Sequence, residues 1–506
     1  MLANRYSDEN GIVNLDARLG GAASRTEGHP ESAATEASQR RENDVKERAP
    51  ITREFARFIA NFAIDDLPDD VRRYAGILIF DGIGTTYAAV HPSVSSGVHT
   101  RDFAQEQAGP KQATLIGRGR KVSMLNAVLA NGTLGYAADF EPHHPEAILH
   151  PVAVLLPAAL AVCENVGASG SSFLGALALG CEVTYRVSMA MNPRSLYARG
   201  FHPSAVCGAF GAAAAASNLM RLDEVATTRA LGLAALQASG LMAWQDDPKE
   251  DARPFQMGMA ARNGITAALL AQREFGAPDR IFDGGHTVLA AFSDDSRSER
   301  LLDGLGRKWN GVAGLAVKPY PCVSFLHPAL DALANLLDSH DLASENIEAI
   351  NLRFAESGCH CIDDNPLKGH SAQYILPVFA ATGRLRFNDL FDDLRQTNSE
   401  VARLANSTMV QRDRGAFEES FPSSYSGEIS LKLADGRLLS QRRNIARGYP
   451  GKPMATAEIE AKFEETLRGM LGADRISALA EASRAIDGSK SVQPLAAQLE
   501  LPPDLH

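Results

Sequence analysis

Between Asp139 and His202 the chain runs through two long, almost uncharged apolar segments, ILHPVAVLLPAALAVC and SSFLGALALGCEVTYRVSMAM. Segments of that length and composition belong in a core. Asp139, His143, His144 and His150 stand in front of them, and Phe201-His202-Pro203 follows. Four histidines and a carboxylate therefore sit at the edges of buried elements, which is how a chain brings titratable groups to the rim of a pocket. Any one of these histidines could simply cap a helix and satisfy a backbone carbonyl. As a set they point to function.

At 506 residues the chain exceeds a single core and predicts two or three domains. Residues 1–50 are polar, charged and nearly free of aromatics, so they cannot bury enough surface to offset their ordering entropy and read as a disordered extension. From Ile51 the apolar spacing is helical: Phe55, Phe58, Ile59 and Phe62, then Val71, Tyr74, Ile77 and Leu78 after Pro68. A polar loop is expected over 91–112, and then a helix within 121–140 capped by Ser123. The following helices are rich in Ala and Gly, which permits close backbone approach. Gly208 and Gly211 lack the preceding strand and the Lys-Ser/Thr pair of a phosphate-cradling loop.

Near residue 315 the texture changes. GLAVKPYPC (314–322) reads as a short strand entering a turn. IEAINLRFAE (347–356) alternates Ile350, Leu352 and Phe354 with Asn351 and Arg353, as a half-buried strand does. GEISLKLADGRLLSQRR (427–443) reads as a hairpin about Asp435-Gly436. An amphipathic helix from Thr456 then aligns Ile459, Phe463, Leu467 and Leu471. The expected fold is mostly α with an inserted α/β domain. Residues 51–315 form the first part of an all-helical domain, 316–449 the α/β domain, and 450–506 helices that return to the helical domain.

The balance of 50 basic against 61 acidic residues, a net charge of −11, comes with no basic stripe, so nucleic acid is not an expected partner. Arg5, Asp8 and Glu9 interrupt any secretory signal, and no apolar run is long and unbroken enough to span a bilayer. Six scattered cysteines (163, 181, 207, 322, 359, 361) without a CxxC suggest reduced thiols and a cytoplasmic location, with no membrane partner. Cys359-His360-Cys361 reads as a strand end.

Several stretches in register resemble the 2-methylcitrate dehydratase (MmgE/PrpD) family: LPDDVRRYAGILIFDGIG, NGTLGYAADF, the His-Pro of ILHPVAVLLPAALA, GFHPSAVCGAFGAAAAA, RPFQMGMAARNGITAALLA, KPYPCVSFLHPALDAL, HSAQY, the ADGR hairpin and GKP before the last helix. The resemblance covers about residues 51–471. It implies a large helical domain, a smaller α/β lid, an active site in the cleft between them, and homodimers. It implies substrates that are small di- or tricarboxylates, acted on without metal or organic cofactor by dehydration, decarboxylation or epimerisation. Carried over singly, Asp139, His150, His202 and Tyr374 are the expected catalytic residues, and Arg253 and Lys318 the expected substrate-binding cations. Two positions depart from the pattern. Arg253 replaces a family lysine and cannot act as a base, and Val323 stands where the decarboxylase has a histidine.

Each of these reactions moves a proton next to a carboxylate, which needs an acid or base near neutral pKa and cations for the developing charge. A 2-methylcitrate-like hydro-lyase is favoured slightly, with an epimerase or isomerase next and cis-aconitate-type decarboxylation ranked lower because of the two departures. A carboxylate-binding protein without catalysis is the outsider. Asp139, His143, His144 and His150 have the residue types of a metal site, but adjacent histidines diverge on a helix, so His143 and His144 are placed at the rim or facing solvent and no metal is expected. Cys322 is placed near the cleft without a role, His327 as structural, and His370 behind Tyr374.

Overall fold

The Ala- and Gly-rich segments become helices that touch backbone to backbone. In the computed structural model, which describes residues 50–504 apart from 422 and 423, the principal elements of the first part are α1 (Ile51–Asn61), α2 (Asp69–Ala88), α3 (Ser95–Gln107), β1 (Ala113–Leu115), β2 (Arg120–Val122), α4 (Met124–Ala137), α5 (Pro151–Val166), α6 (Gly170–Met191), α7 (Pro203–Leu219), α8 (Glu224–Ala235) and α9 (Ala252–Ala271). Where α4 crosses α9, a Cβ on Gly132 would lie 2.8 Å from Gly258 Cα, and one on Gly258 would lie 2.2 Å from the Leu129 carbonyl oxygen. Where α6 meets α7, a Cβ on Gly211 would lie 2.7 Å from the Gly180 carbonyl oxygen. Gly211 is thus a packing residue. The expected disordered extension falls outside the described residues, Pro50 excepted.

The second part contains α10 (His327–Ser339), β3 (Ile347–Ala355), α11 (Ala372–Thr382), α12 (Ser399–Asn406), β4 (Thr408–Asp413), β5 (Gly427–Leu433) and β6 (Leu438–Arg443). Its sheet has the order β4-β3-β5-β6, with β3–β4 parallel and the other pairs antiparallel. Ile350, Leu352 and Phe354 point into the core, as the alternation requires. α10 packs on β5 and β6, and α11 on β4. Gly436 turns the hairpin with φ of +87°. The chain ends with α13 (Thr456–Leu467), α14 (Ala473–Arg484) and α15 (Gln493–Glu500).

Two hydrophobic clusters result. One collects residues from Phe55 to Val317 together with Ile459, Phe463, Leu467 and Leu471; the other lies within 316–449. Phe463 of α13 stacks on Phe80 of α2 at 4.4 Å between centroids. No described helix is long and apolar enough to cross a membrane, and all six cysteines are free and buried.

Three local expectations need correction. The polar stretch 91–112 is not all loop, since it contains α3. That helix packs through small residues, Gly97 and Ala104, while its one large apolar residue, Phe103, is exposed. It is anchored by buried Arg101, which donates to the carbonyls of Gly97 and Val90 at 2.9 Å each. Ser123 precedes α4, but its side chain makes no capping bond; Gln112 Oε1 accepts the Met124 N–H instead, at 3.1 Å. Residues 314–322 form no strand beyond a single bridge between Ala316 and His143. Pro319 and Pro321 have no N–H with which to continue a ladder.

Because the α4–α9 contact leaves no space for a side chain, Gly258→Ala is expected to destabilise the protein by about 1–3 kcal/mol, in the range of overpacked cores. Denaturant unfolding measures this. An unchanged midpoint would show that the helices part without cost.

Candidate active site

Two histidines reach one cavity because each stands immediately before a helix that starts with proline. Pro151 opens α5 and Pro203 opens α7, so His150 and His202 occupy the preceding positions, where a following proline disfavours helical backbone. Neither side chain caps its helix, contrary to the simplest reading of a histidine there. Arg253 lies in the first turn of α9. Three helix N-termini therefore bring their side chains to the same place, an arrangement favourable to negative charge.

The cavity has a volume of about 620 Å³ and is walled by both hydrophobic clusters. Asp139, His150, His202, Arg253 and Lys318 all line it; Tyr374 does not. Asp139 follows α4 with φ of +46°, an uncommon conformation for a residue other than glycine and one that costs about 1–3 kcal/mol. Lys318, fully buried, donates to both the carboxylate (2.5 Å) and the carbonyl (2.9 Å) of Asp139. Arg253 lies 3.5 Å from the same carboxylate and 2.5 Å from Glu250. Its guanidinium sits over the Tyr136 ring, 4.3 Å from the centroid.

Around this core, His150 Nδ1 donates to Glu141 at 2.6 Å, which fixes its tautomer. His202 lies against Tyr136 and Trp244, with centroids 5.8 and 6.1 Å away. His370, from the turn Lys368–His370, places Nε2 3.4 Å from Asp139 and 3.3 Å from Glu250.

These environments separate the charges. Burial pushes His202 down to about 3, helped by His150 and Arg253. Burial also lowers His150, with Glu141 opposing the shift. Burial opposes ionisation of Asp139 too, but Lys318 and Arg253 overcome it and hold the carboxyl well below its usual range. His370 goes the other way: burial disfavours its charge, yet Glu250 and Asp139 raise it to about 9.

Tyr374 is a correction. Its hydroxyl lies 2.6 and 2.8 Å from the carbonyl oxygens of Asp389 and Asp392 and accepts the Leu394 N–H at 3.3 Å. It fastens a loop of the α/β part, and His370, four residues earlier and outside α11, faces the cavity in its place. His143 and His144 line the cavity, as a rim placement requires, but neither faces solvent, at 3% and 2% exposed. His143 pairs with Ala316 through the backbone, and its Nε2 lies 3.2 Å from the Tyr449 hydroxyl. His144 Nε2 donates to the Asn310 carbonyl at 2.9 Å, while its Nδ1 accepts the Ala147 N–H at 3.3 Å. Cys322 is buried without lining the cavity, and His327 bonds the Cys322 carbonyl from the start of α10. Beyond the strand end, His360 and Cys361 reach the cavity wall, with Nε2 and Sγ 3.1 Å apart.

Glu141 and Glu250 were not singled out in the sequence. Glu141 had a readable signal, being two residues from Asp139 and so able to share its side of an extended segment; Glu250 lay in a run of charges that looked like solvated surface. Among the described residues, Asp139, Glu141 and His150 form a group whose donor atoms come within 4.8 Å of one another. Lys318 brings a cation to them, 2.5 Å from Asp139 and 3.8 Å from Glu141.

Comparison with known proteins extends over both parts of the chain. Residues 53–301 match the MmgE/PrpD N-terminal domain and residues 320–487 the MmgE/PrpD C-terminal domain. A cis-aconitate decarboxylase of Aspergillus terreus is 25% identical over 91% of this chain and 98% of its own length. The cis-aconitate decarboxylase-like protein oryM of Aspergillus oryzae is 26% identical over 88% of this chain and 96% of its own. A cis-aconitate decarboxylase of Homo sapiens is 25% identical over 85% and 90% respectively.

Two outcomes follow from the placement of these side chains. Tyr374→Phe is expected to lower stability by about 1–3 kcal/mol through lost hydrogen bonds, with turnover unchanged; a large fall in kcat at unchanged stability would return the phenol to the chemistry. Acidification should also destabilise the fold. His144 titrates at about 4 and His202 at about 3 when folded, against about 6.5 when unfolded. The unfolded chain thus binds more protons below about 6.5, and stability falls as pH drops from there towards about 4. Thermal melts across that range measure the slope, which should be shallower in His144→Asn.

Proposed function

This chain belongs to the MmgE/PrpD family, and on that footing we propose that its cavity is the active site of a lyase that decarboxylates a small tricarboxylate of the cis-aconitate type. The observation that carries this reading is the convergence of Asp139, His150, His202, Arg253 and Lys318 on one cavity between two cores. The extent over which proteins named cis-aconitate decarboxylase align with the chain supports it further. This reverses the ranking drawn from sequence, which placed a 2-methylcitrate-like hydro-lyase first. Two observations soften the departures behind that ranking. Arg253 keeps a buried cation beside Asp139. Val323 lacks an imidazole, yet its N–H donates to the Gly369 carbonyl at 3.0 Å, next to His370.

In this proposal Lys318 and Arg253 hold substrate carboxylates. Arg253 Nε is buried and has no hydrogen-bond partner among the described residues, so it is an unspent donor. An unmade bond of that kind costs about 1–3 kcal/mol, which a bound carboxylate would recover. Asp139 remains a carboxylate and orients Lys318. His150, held by Glu141, and neutral His202 contact the reacting end of the substrate. A second reading, dehydration of a 2-methylcitrate-like hydroxy acid, is favoured by Val323, which stands where the decarboxylase has a histidine.

Proton NMR in heavy water on a panel of cis-aconitate, 2-methylcitrate, citrate and iminodisuccinate tests these readings. Loss of carbon dioxide from cis-aconitate is expected. Loss of water from 2-methylcitrate alone would select the second reading, deuterium exchange in an unchanged skeleton would select an isomerase, and no reaction would leave a binding protein. His202→Gln is expected to lower kcat about 10²-fold or more, the scale of a lost acid–base group. Wild-type turnover in that variant would remove His202 from the mechanism.

A further inference from the structure

The four cavity-lining histidines contributed by the first part of the chain are all shifted towards the neutral form, chiefly by burial. Removing a carboxylate from an unsaturated tricarboxylate consumes a proton, so the reaction needs a proton donor at the carbon that receives it, and an imidazole serves only in its charged form. A fifth imidazole, from the α/β part, is placed differently. His370 is 6% exposed and stands between the carboxylates of Asp139 and Glu250 at 3.4 and 3.3 Å. Despite those short separations its Nε2 makes no hydrogen bond of acceptable geometry to either oxygen. The ring is held by two ion pairs, with its N–H aligned fully on neither carboxylate.

We infer that His370 is a catalytic residue, the acid that delivers a proton from Nε2 to the reacting carbon, an inference that rests on the lyase reading above. In that step the bond to the departing carboxylate breaks and carbon dioxide leaves. Its electron pair becomes the new double bond, and the pair of the old double bond takes the proton at the carbon beside a remaining carboxylate. His370 is left neutral and regains its proton from solvent.

The charged groups around it are consistent with this role. Asp139 after α4 and Glu250 before α9 face the ring and favour its charged form, while Arg253 helps hold both carboxylates ionised and Lys318 adds to this at Asp139. Lys368, on the same turn, is directed instead to the carbonyls of Leu390 and Phe391. With His370 titrating at about 9, activity carried by its protonated form should decline as pH rises through that value.

The experiment compares wild type with His370→Gln on cis-aconitate in heavy water. The variant is expected to lose about 10²–10⁴-fold in kcat, with KM changed only a few-fold and the melting temperature kept. The alkaline limb near pH 9 should disappear, and added imidazole should restore part of the rate. Wild-type kcat, a retained alkaline limb, or loss of activity with a lowered melting temperature and no imidazole rescue would each overturn the assignment. Should wild type fail to consume cis-aconitate, the lyase reading falls separately. Citrate titration followed by NMR of the histidine rings then decides whether His370 contacts a bound tricarboxylate: a shifted His370 resonance supports it, and an unmoved one refutes it.

Discussion

The buried contact between Lys318 and Asp139 is what ties the two halves of this molecule to one another at the point where chemistry is proposed. Asp139 follows a helix of the first core, and Lys318 stands at the entrance to the second. Burying two charges costs more than their attraction reliably returns, so such a pair is weak evidence of stability. Its structural effect is positional. The ammonium holds both the carboxylate and the carbonyl of Asp139, in a backbone conformation that would not persist unaided.

That segment is gripped again on either side. Lys462 of α13 reaches in from the C-terminal helices, donating to the Phe140 carbonyl at 3.0 Å while paired with Asp81 of α2 at 2.7 Å. Glu141 holds His150. Three successive residues, 139 to 141, are therefore fixed by groups from the second core, the C-terminal helices and α5. The return of the chain end to the first core thus bears directly on the site.

How much of this could be read in advance depended on the kind of signal. The His-Pro helix starts, the alternation of β3 and the Asp435-Gly436 hairpin are local, and each carries its physics in a few consecutive residues. Position 374 shows the limit. In the sequence His370 and Tyr374 stand one turn apart, yet the turn Lys368–His370 ends before α11 begins, and packing on Asp389 and Asp392 claims the phenol. Glu250 was illegible for another reason: Arg253 is its neighbour three residues on, but His370, which gives the pair its place in the site, arrives only through tertiary packing. α3 was missed because its contacts rest on glycine and alanine, which leave no apolar stripe.

Charge accounting shows what kind of binding the cavity can offer. Arg253, Lys318 and charged His370 face Asp139, Glu141 and Glu250, so the polar end is close to neutral as a whole. A polyanion gains little there from net field. It gains from fixed donors that the protein's own carboxylates leave unspent, Arg253 Nε and His370 Nε2, both buried and without a hydrogen-bond partner among the described residues. Donors held in place by neighbouring acids need no rearrangement as charge shifts during reaction, the condition under which electrostatic stabilisation is largest. The same acids that compete with an anionic substrate for these donors are what keep its binding groups charged and aimed.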